Sequence, residues 1–274
     1  MKIGMALPHL PPNKMNLQIL GCSGGIGGTA TSKARTTSML LGENILIDAG
    51  TGVGDLSLDQ LAKIDHVFLT HSHLDHILSL PLLLDSVIGM RKEPLLVHAP
   101  SEVIEALRKY IFNWVIWPDF SIIPTAENPC FKFMAFEIGY EFEFEGGVIR
   151  ALPVNHHVPA VAYEIRTANG STVFSGDTGP SRVFRQALCE IPQLNGLIVE
   201  CAFPNRDKEL ASRSGHFCPE SLADWLEPVP NLPNGNIYIT HLKPQQADWT
   251  MTEIHHLLPK RSVSRLSEGE IISV

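Results

Sequence analysis

Short apolar runs separated by Gly-, Pro- and Asn-containing turns recur along the chain, and they predict an alternation of strands and helices. Runs that alternate with polar residues, or that are apolar throughout and rich in Val, Ile and Leu, are typical of strands. The pattern predicts strands at 15–21, 38–48, 65–70, 94–100, 131–138, 140–154, 160–167, 171–177, 196–203 and 236–242. Segments of helical length and composition predict helices at 77–89, 101–110, 181–190, 219–226 and 250–258.

The second half of the chain repeats the first in outline, because each half runs from strands through a polar cluster to a further strand and a helix. No repeat of fixed period and no long linker accompanies this outline. We therefore predict a mixed α/β (α+β) fold in which two sheets pack face to face with helices outside. One domain is expected to span 1–274, with an N-terminal extension at 1–14.

The composition allows a full hydrophobic core, since 44% of the 274 residues are hydrophobic and 18% are charged. No apolar run reaches the roughly 18 residues of a membrane span, and prolines interrupt the N-terminus where a signal peptide would be apolar. The five cysteines are scattered and form no CxxC pair, which favours a reducing compartment over a disulfide framework. We therefore expect a cytoplasmic protein that does not associate with membranes.

The charge of the chain bears on its partners. A net charge of -8 and a pI of about 5.8 disfavour a nucleic-acid partner, because proteins that grip a phosphate backbone usually carry a basic patch. Lys and Arg are instead thinly spread along the sequence. A small anionic substrate held by a metal needs no such patch, so a small-molecule partner is favoured.

The segment THSHLDH at 70–76 concentrates metal-ligand side chains directly after an apolar strand. His71 and His73 are two residues apart, so on an extended segment they point the same way. Asp75 and His76 follow where a helix is expected to begin, and they can turn toward a second point nearby. Imidazole nitrogen combined with carboxylate oxygen favours Zn²⁺, with Mn²⁺ or Fe as substitutes. The segment therefore predicts two adjacent divalent metal ions.

Further ligands are expected at three later strand ends, where an apolar run gives way to a Gly or Pro loop. The candidates are either His156 or His157, then Asp177, and then His241. Neighbouring residues of a strand face opposite ways, so only one of the two adjacent histidines can be a ligand. The other histidines lack this placement and are expected in the core, on a helix surface or in a tail: His9, His66, His98, His255 and His256.

The motif HSHLDH fits the HxHxDH signature of the metallo-β-lactamase superfamily, so the chain resembles a family whose fold is a four-layer αββα sandwich. From about residue 17 to 258 it is more specifically similar to the class II cyclic-nucleotide phosphodiesterases. The stretches IFNWVIWPDF, VECAFPNR and SGHFCPESL carry this narrower resemblance, and GCSGG, LIDAGTG, VNHHVPAVAYEI, FSGDTGP and ITHLKP support it. The chain departs from the family at Ser79 and Pro81, which are expected to bend the helix without moving the ligands.

This resemblance implies a two-metal site with ligands in two groups and one bridging residue. The first group is His71, His73 and His156, with His157 as the alternative to His156. The second group is Asp75, His76 and His241. The bridging residue is Asp177.

Two further residues are predicted to assist catalysis. Glu200 ends an apolar strand, and His216 lies in the later loop SGHFCPE. A carboxylate bonded to one ring nitrogen fixes the tautomer and raises the basicity of the other nitrogen. We predict His216 as general acid, oriented by Glu200, and related tRNA 3′-processing endonucleases (RNase Z) show the same pairing. A structural ion pair is the alternative, and Asp75 counts as catalytic as well as a ligand.

Contacts with the substrate are less well defined by the sequence. Arg35, Thr37 and Lys243 are the candidates for holding a phosphate. The Gly-rich stretch GCSGGIGGTATS lacks the Gly-Lys-Ser/Thr of a phosphate-binding P-loop. We interpret it as a strand-to-strand loop beside the metal site, with glycines that allow close backbone approach.

The resemblance implies a phosphodiesterase that hydrolyses 3′,5′-cyclic nucleotides (cAMP or cGMP) to 5′-nucleotides through a hydroxide shared by two metals. The alternatives are a tRNA 3′-endonuclease, another hydrolase of the same fold such as a lactamase, lactonase or thioesterase, and a non-catalytic metal-binding module. The acidic charge counts against the endonuclease, and the presence of all candidate ligands counts against the module. The expected partner is a cyclic nucleotide, and a homodimer is compatible with the sequence.

Overall fold

The computed structural model describes residues 15–28, 33–230, 232 and 236–274. The predicted N-terminal extension at 1–14, which includes His9, lies outside them. The strands are β1 (Asn16–Gly21), β2 (Gly27–Gly28), β3 (Lys33–Ala34), β4 (Ser38–Leu41), β5 (Ile45–Ile47), β6 (His66–Phe68), β7 (Leu95–Pro100), β8 (Phe131–Phe136), β9 (Glu141–Phe144), β10 (Gly147–Pro153), β11 (Val161–Thr167), β12 (Gly170–Phe174), β13 (Leu194–Glu200), β14 (Ile237–Thr240), β15 (Val263–Arg265) and β16 (Ile271–Ser273). The α-helices are α1 (Leu58–Ala62), α2 (Leu74–Ile77), α3 (Leu80–Ser86), α4 (Ser101–Tyr110), α5 (Arg182–Cys189), α6 (Lys208–Ser214), α7 (Pro219–Leu226) and α8 (Ala247–Leu257).

Two large sheets form from these strands with the same internal plan. The first has the order β16-β1-β4-β5-β6-β7-β8, and the second has the order β15-β14-β13-β12-β11-β10-β9. In the first sheet the pairs from β16 to β5 are antiparallel and those from β5 to β8 are parallel. In the second sheet the pairs from β9 to β12 are antiparallel and those from β12 to β15 are parallel. The two halves of the chain therefore repeat one another in topology, while β16 returns to pair with β1.

Side chains along one strand divide between two apolar cores. Leu17 and Ile19 of β1 pack between the sheets, whereas Leu20 packs with the helices over the first sheet. Ile198 of β13 likewise lies between the sheets, and Leu197 packs with the helices over the second. Strands buried on both faces have nearly continuous apolar sequences, which accounts for the unbroken runs in this chain. The succession of helices, sheet, sheet and helices confirms the predicted four-layer sandwich.

The helix predicted at 77–89 differs from the structure in its bounds. It begins earlier as α2, breaks at Ser79 and resumes as α3, with Pro81 in the first turn of α3. Proline has no N–H to continue the helical bonding, so the break matches the bend expected from the sequence. Ala49 bridges the break between the two helices: its N–H donates to the His76 carbonyl, and its carbonyl accepts from the Ser79 N–H. This pins α2, and hence Asp75 and His76, to the loop after β5.

Two further observations concern the sequence-based expectations. In the described part of the chain no helix has both the length and the apolar character needed to cross a bilayer. The cysteines are free thiols. The cytoplasmic location and the extent of the domain stay predictions.

A pair of histidines lies in the core between neighbouring strands. His98 of β7 is 2% exposed, its Nε2 lies 3.0 Å from Nδ1 of His66, and its ring stacks on Phe68 with the centroids 4.3 Å apart. Burial lowers the pKa of His98 to about 4, and the ring of His66 acts in the same direction. The folded protein therefore keeps His98 neutral.

Replacing His98 with Phe should reduce the loss of stability between pH 7 and pH 5. Below an ordinary pKa of about 6.5 the unfolded chain takes up a proton on His98, whereas the folded chain resists protonation until about pH 4. Urea unfolding at both pH values measures the effect. The control is His256→Phe, at an exposed position of α8, which should keep the wild-type pH dependence. Equal pH dependence in His98→Phe and wild type would contradict this assignment.

Candidate metal centre

The candidate ligands meet at the ends of strands from both sheets. His71 and His73 follow β6 of the first sheet, whereas His156 follows β10, Asp177 follows β12 and His241 follows β14 of the second. Distant parts of the chain thus contribute to one cluster. The cluster therefore lies where strand ends of the two sheets meet.

The first group of possible ligands consists of His71, His73, His156 and Asp177, whose ligand-type atoms all lie within 4.8 Å of one another. His71 Nε2 is 3.6 Å from Asp177 Oδ2. His73 Nδ1 is 3.2 Å from His156 Nε2. Three imidazoles and one carboxylate oxygen therefore converge on a single point.

The second group consists of Asp75, His76, Asp177 and His241, with ligand-type atoms at the same mutual spacing. Asp177 Oδ1 is 3.4 Å from His76 Nε2 and 3.3 Å from His241 Nδ1. Asp75 Oδ2 is 3.8 Å from His241 Nε2. Asp177 belongs to both groups and turns a different oxygen toward each. Its carboxylate can therefore bridge two neighbouring cations.

Three nitrogens of the cluster indicate that the residues fit metal ions. His71 Nε2, His76 Nε2 and His241 Nδ1 are buried and have no hydrogen-bond partner among the described residues. A buried polar atom without a partner is unfavourable. Two ligands bound to Zn²⁺ at about 2.0–2.1 Å in tetrahedral geometry are about 3.3 Å apart. The separations between these nitrogens and the Asp177 oxygens are close to that value, so the cluster is able to bind metal.

Asp48 orients a histidine in each group, a role that the sequence-based reasoning missed. Its Oδ2 accepts from His76 Nδ1 at 2.7 Å, which leaves Nε2 of His76 facing Asp177. The same Oδ2 accepts from the Thr70 hydroxyl at 2.8 Å, and that hydroxyl lies 2.9 Å from Nδ1 of His71. Metal-binding histidines commonly donate their second N–H in this way. The available signal was an acidic residue directly after the apolar run ILI and before AGTG.

Burial and neighbouring charges shift the pKa values of the carboxylate and histidine groups of the cluster. Burial raises the pKa of Asp177, but the rings of His241, His76 and His71 outweigh it and hold this pKa well below its usual range. Burial disfavours a charged His76, yet the carboxylates of Asp177 and Asp48 raise its pKa well above the ordinary value. Burial lowers the pKa of His71 strongly and that of His241 to about 3. Asp177 therefore stays ionised, burial favours neutral His71 and His241, and His76 would release its Nε2 proton on binding a metal ion.

The structure brings only one of the two adjacent histidines into the cluster. His156 Nδ1 donates to the Gly215 carbonyl at 3.0 Å, so Nε2 is free to face His73. His157 is exposed, and its ring bonds to the Arg213 carbonyl instead. Gly215 has a φ of +69°, and a Cβ there would lie 3.2 Å from the His156 ring. His156 thus has the placement expected of a ligand, and its ligand role stays a prediction.

The Gly-rich loop after β1 supports His241 through backbone contacts. His241 N donates to the Cys22 carbonyl at 2.8 Å, and Gly24 N donates to the Leu242 carbonyl at 3.0 Å. A Cβ on Gly24 would lie 2.3 Å from the His241 carbonyl oxygen, closer than atoms can approach. His241 itself has a φ of +60°, which is uncommon for a residue other than glycine. These contacts agree with the interpretation of the loop as a close backbone support.

Glu200 and His216 form a buried pair next to both ligand groups. His216 Nδ1 lies 2.6 Å from Glu200 Oε1, and Glu200 also accepts from the backbone N–H groups of Thr178 and Ala202. The ring of His216 lies 5.3 Å from that of His241 and 5.1 Å from that of His156. Burial favours a neutral His216, but the Glu200 carboxylate raises its pKa above the ordinary value. Because Nδ1 is engaged, Nε2 is the nitrogen available for proton transfer.

The three candidates for phosphate contacts differ in their surroundings. The Arg35 guanidinium donates two hydrogen bonds to Asp55. Thr37 is 1% exposed, and its buried Oγ1 has no hydrogen-bond partner among the described residues, so its substrate role stays a prediction. Lys243 is half-buried beside the Gly-rich loop, with Nζ 2.7 Å from the Gly24 carbonyl oxygen.

Comparisons with known proteins agree with this fold. The profile of the beta-lactamase superfamily domain matches residues 43–242. A probable 3′,5′-cyclic-nucleotide phosphodiesterase of Yersinia pestis is 27% identical over 211 residues, which cover 66% of this chain and 58% of that protein. A ribonuclease Z of Clostridium beijerinckii is 30% identical over 155 residues, which cover 54% of this chain and 48% of that protein. The crystal structure of unliganded yeast PDE1 has a TM-score of 0.75 at 19% identity and covers 95% of this chain and 99% of its own.

The four-layer fold, with the His/Asp cluster at the ends of its strands, defines the class of protein. The chain belongs to the metallo-β-lactamase superfamily, and its relatives include a probable phosphodiesterase and ribonuclease Z. The chain spans about half the length of the curated relatives it matches, at 58% and 48%.

Replacing Asp48 with Asn should lower the affinity for metal about 10- to 100-fold, as losses of partners to ligating histidines typically do. Asn keeps one oxygen and replaces the other with an NH₂ group, which cannot accept a hydrogen bond. Either the Thr70 backbone N–H or the Thr70 hydroxyl and the His76 N–H then lose their acceptor, and the orientation of the ligands is disturbed. Bound zinc after equilibration at buffered free zinc concentrations measures this change. Asp85→Asn, at an exposed position of α3, is the matched control. Equal zinc retention by both variants would show that Asp48 does not position the ligands.

Proposed function

We propose that this protein is a metal-dependent phosphodiesterase that hydrolyses 3′,5′-cyclic nucleotides to 5′-nucleotides. The observation that carries the proposal is the pair of ligand groups joined by Asp177, with the buried Glu200–His216 pair beside both. Two carboxylates in the cluster, Asp75 and Asp177, suit a phosphate ester handled by two divalent cations. The 27% identity to a probable 3′,5′-cyclic-nucleotide phosphodiesterase supports this substrate class.

The ligand assignment follows from the two groups. His71, His73 and His156 would hold one cation. Asp75, His76 and His241 would hold the other, and Asp177 would contact both. When bound, two such cations supply positive charge for the phosphate oxygens and lower the pKa of a water molecule to about 7. Zinc is the ion that this donor set favours, with manganese or iron as substitutes.

His216 supplies the proton that the leaving oxygen requires. As a water oxygen, having lost one proton to solvent, bonds to phosphorus, the bond from phosphorus to the 3′-oxygen breaks, and the Nε2 proton of His216 passes to that oxygen. The product is a 5′-nucleotide with a free 3′-hydroxyl. Glu200 holds Nδ1 of His216 and stabilises the protonated ring, so it acts as a positioning residue.

A tRNA 3′-endonuclease is the second candidate, because a ribonuclease Z is 30% identical over its matched residues. The same metal groups and the same acid would serve that reaction. A net charge of -8 favours the small substrate, since RNA binding draws on positive charge. A cytoplasmic location and a homodimer remain part of the proposal.

A substrate panel separates these functions. Zinc-loaded protein is incubated with 3′,5′-cAMP, 3′,5′-cGMP, 2′,3′-cAMP, a precursor tRNA and a β-lactam, and the products are separated by chromatography. The proposal expects 5′-AMP or 5′-GMP from the 3′,5′-cyclic substrates and no cleavage of the tRNA. Absence of a 5′-nucleotide from both would overturn it, and cleavage of the tRNA alone would establish the second candidate.

Replacing His216 with Ala should lower kcat about 10²- to 10⁴-fold, the usual contribution of a general acid. Metal content should stay near that of the wild type, because His216 belongs to neither ligand group. Replacing Glu200 with Gln should lower kcat less, since the ring remains. His256→Ala on the exposed face of α8 serves as control. Loss of zinc in His216→Ala would make His216 a ligand and refute its role as acid.

A further inference from the structure

We propose that Lys243 is a fixed cation that binds an oxygen of the substrate phosphate on the His216 side of the metal cluster. The inference deepens the proposed function and rests on it, because it assumes that a phosphate ester binds at the cluster. Lys243 would bind the part of the phosphate charge that the metal cations do not neutralise.

The ammonium group of Lys243 is held in place by two neutral groups. Its Nζ donates to the Gly24 carbonyl at 2.7 Å and lies 5.5 Å from the centroid of the Phe203 ring. The Phe203 ring in turn lies 5.8 Å from the ring of His216. Lys243 is therefore positioned next to the proposed acid, with two of its three N–H donors still available.

Among the described residues, Lys243 is the one lysine that is half-buried, and no carboxylate lies within ion-pair distance of it there; the other lysines are exposed. Lys63 pairs with Glu43 and Lys208 pairs with Glu220, both at exposed positions. The Lys243 contacts are a carbonyl oxygen and an aromatic ring, and its side chain is half-buried. A partly buried charge without a counter-charge is unfavourable, so this position favours the arrival of an anion.

The charge of Lys243 affects the pKa values of histidines in and beside the cluster, and its side chain is accessible to solvent. Burial lowers the pKa of His241 to about 3, and the Lys243 ammonium acts in the same direction. Lys243 also opposes the rise in the pKa of His216. Lys243 also lines an open groove of about 1390 Å³ together with Ser23, Ile26 and Gln246. An anion in solvent can therefore reach its side chain.

The surroundings of the other candidate cation strengthen this assignment. Arg35 donates two hydrogen bonds to Asp55, which neutralises its charge. A free ammonium beside the acid favours an anionic phosphate ester over a neutral lactone. Lys243 is thus the basic residue through which the site would prefer phosphate esters.

Binding of inorganic phosphate to the zinc-loaded protein tests the inference without turnover. Calorimetric titration of wild type, Lys243→Met, Lys243→Arg and Lys260→Met gives the dissociation constants, and zinc content is measured on the same samples. We expect Lys243→Met to weaken phosphate binding about 10- to 100-fold, the range of a hydrogen bond to a charged group. Lys243→Arg should restore most of the affinity, and Lys260→Met, at an exposed position, should match the wild type. The difference between wild type and Lys243→Met should shrink as salt is added.

The outcomes separate this inference from the proposed function. Unchanged phosphate affinity in Lys243→Met with normal zinc content would overturn the role of Lys243, even if cyclic nucleotides are hydrolysed. Loss of zinc in both Lys243 variants would also overturn it, because Lys243 would then serve only to hold the Gly24 loop. Phosphate binding that depends on Lys243, without hydrolysis of cyclic nucleotides, would sustain the inference and refute the proposed substrate.

Discussion

The buried carboxylate of Asp48 is the group on which the geometry of the cluster depends. It is 0% exposed and accepts hydrogen bonds from the Thr70 backbone, the Thr70 hydroxyl and the His76 ring. Through these bonds it fixes His76 directly and His71 through the hydroxyl of Thr70. One carboxylate therefore sets the orientation of a histidine in each group. The two groups thereby keep a fixed position relative to each other, with Asp177 between them. Its own burial raises its pKa, and the neighbouring His76 opposes that rise.

The geometry of the cluster also depends on the sandwich fold, which brings loops from the two sheets together. The loop after β1 packs its backbone on His241 so closely that Gly24 leaves no room for a side chain. Ala49 clamps the break between α2 and α3 and so holds Asp75 and His76. Metal ligands need a fixed geometry, and here each ligand loop is held by backbone contacts to another loop. The positions of the ligands therefore depend on contacts between loops of the two sheets.

The charges around the site bear on the small anionic substrate that we propose. The chain carries a net charge of -8, and much of the positive potential at the cluster would come from the bound cations. His216, held by Glu200, and Lys243, held over Phe203, lie on one side of the cluster. An acid and a free cation placed together match a leaving oxygen and a charged phosphate. This grouping is what the proposed hydrolysis of a phosphate ester would require.

The sequence by itself determined the parts that depend on local spacing. The ligand-rich segment could be identified from the sequence alone. His71 and His73 are two residues apart, and Asp75 and His76 are adjacent. The continuous apolar strands fixed a fold with sheets buried on both faces, since such strands face one core on each side. Only the tertiary structure decided what depends on contacts between distant segments. It brought His156 rather than His157 into the cluster, because the carbonyls of Gly215 and Arg213 draw the two rings apart. It also placed Asp48 against His76 and paired Arg35 with Asp55, while Lys243 has no carboxylate partner among the described residues. These contacts join distant segments, so spacing along the chain cannot predict them.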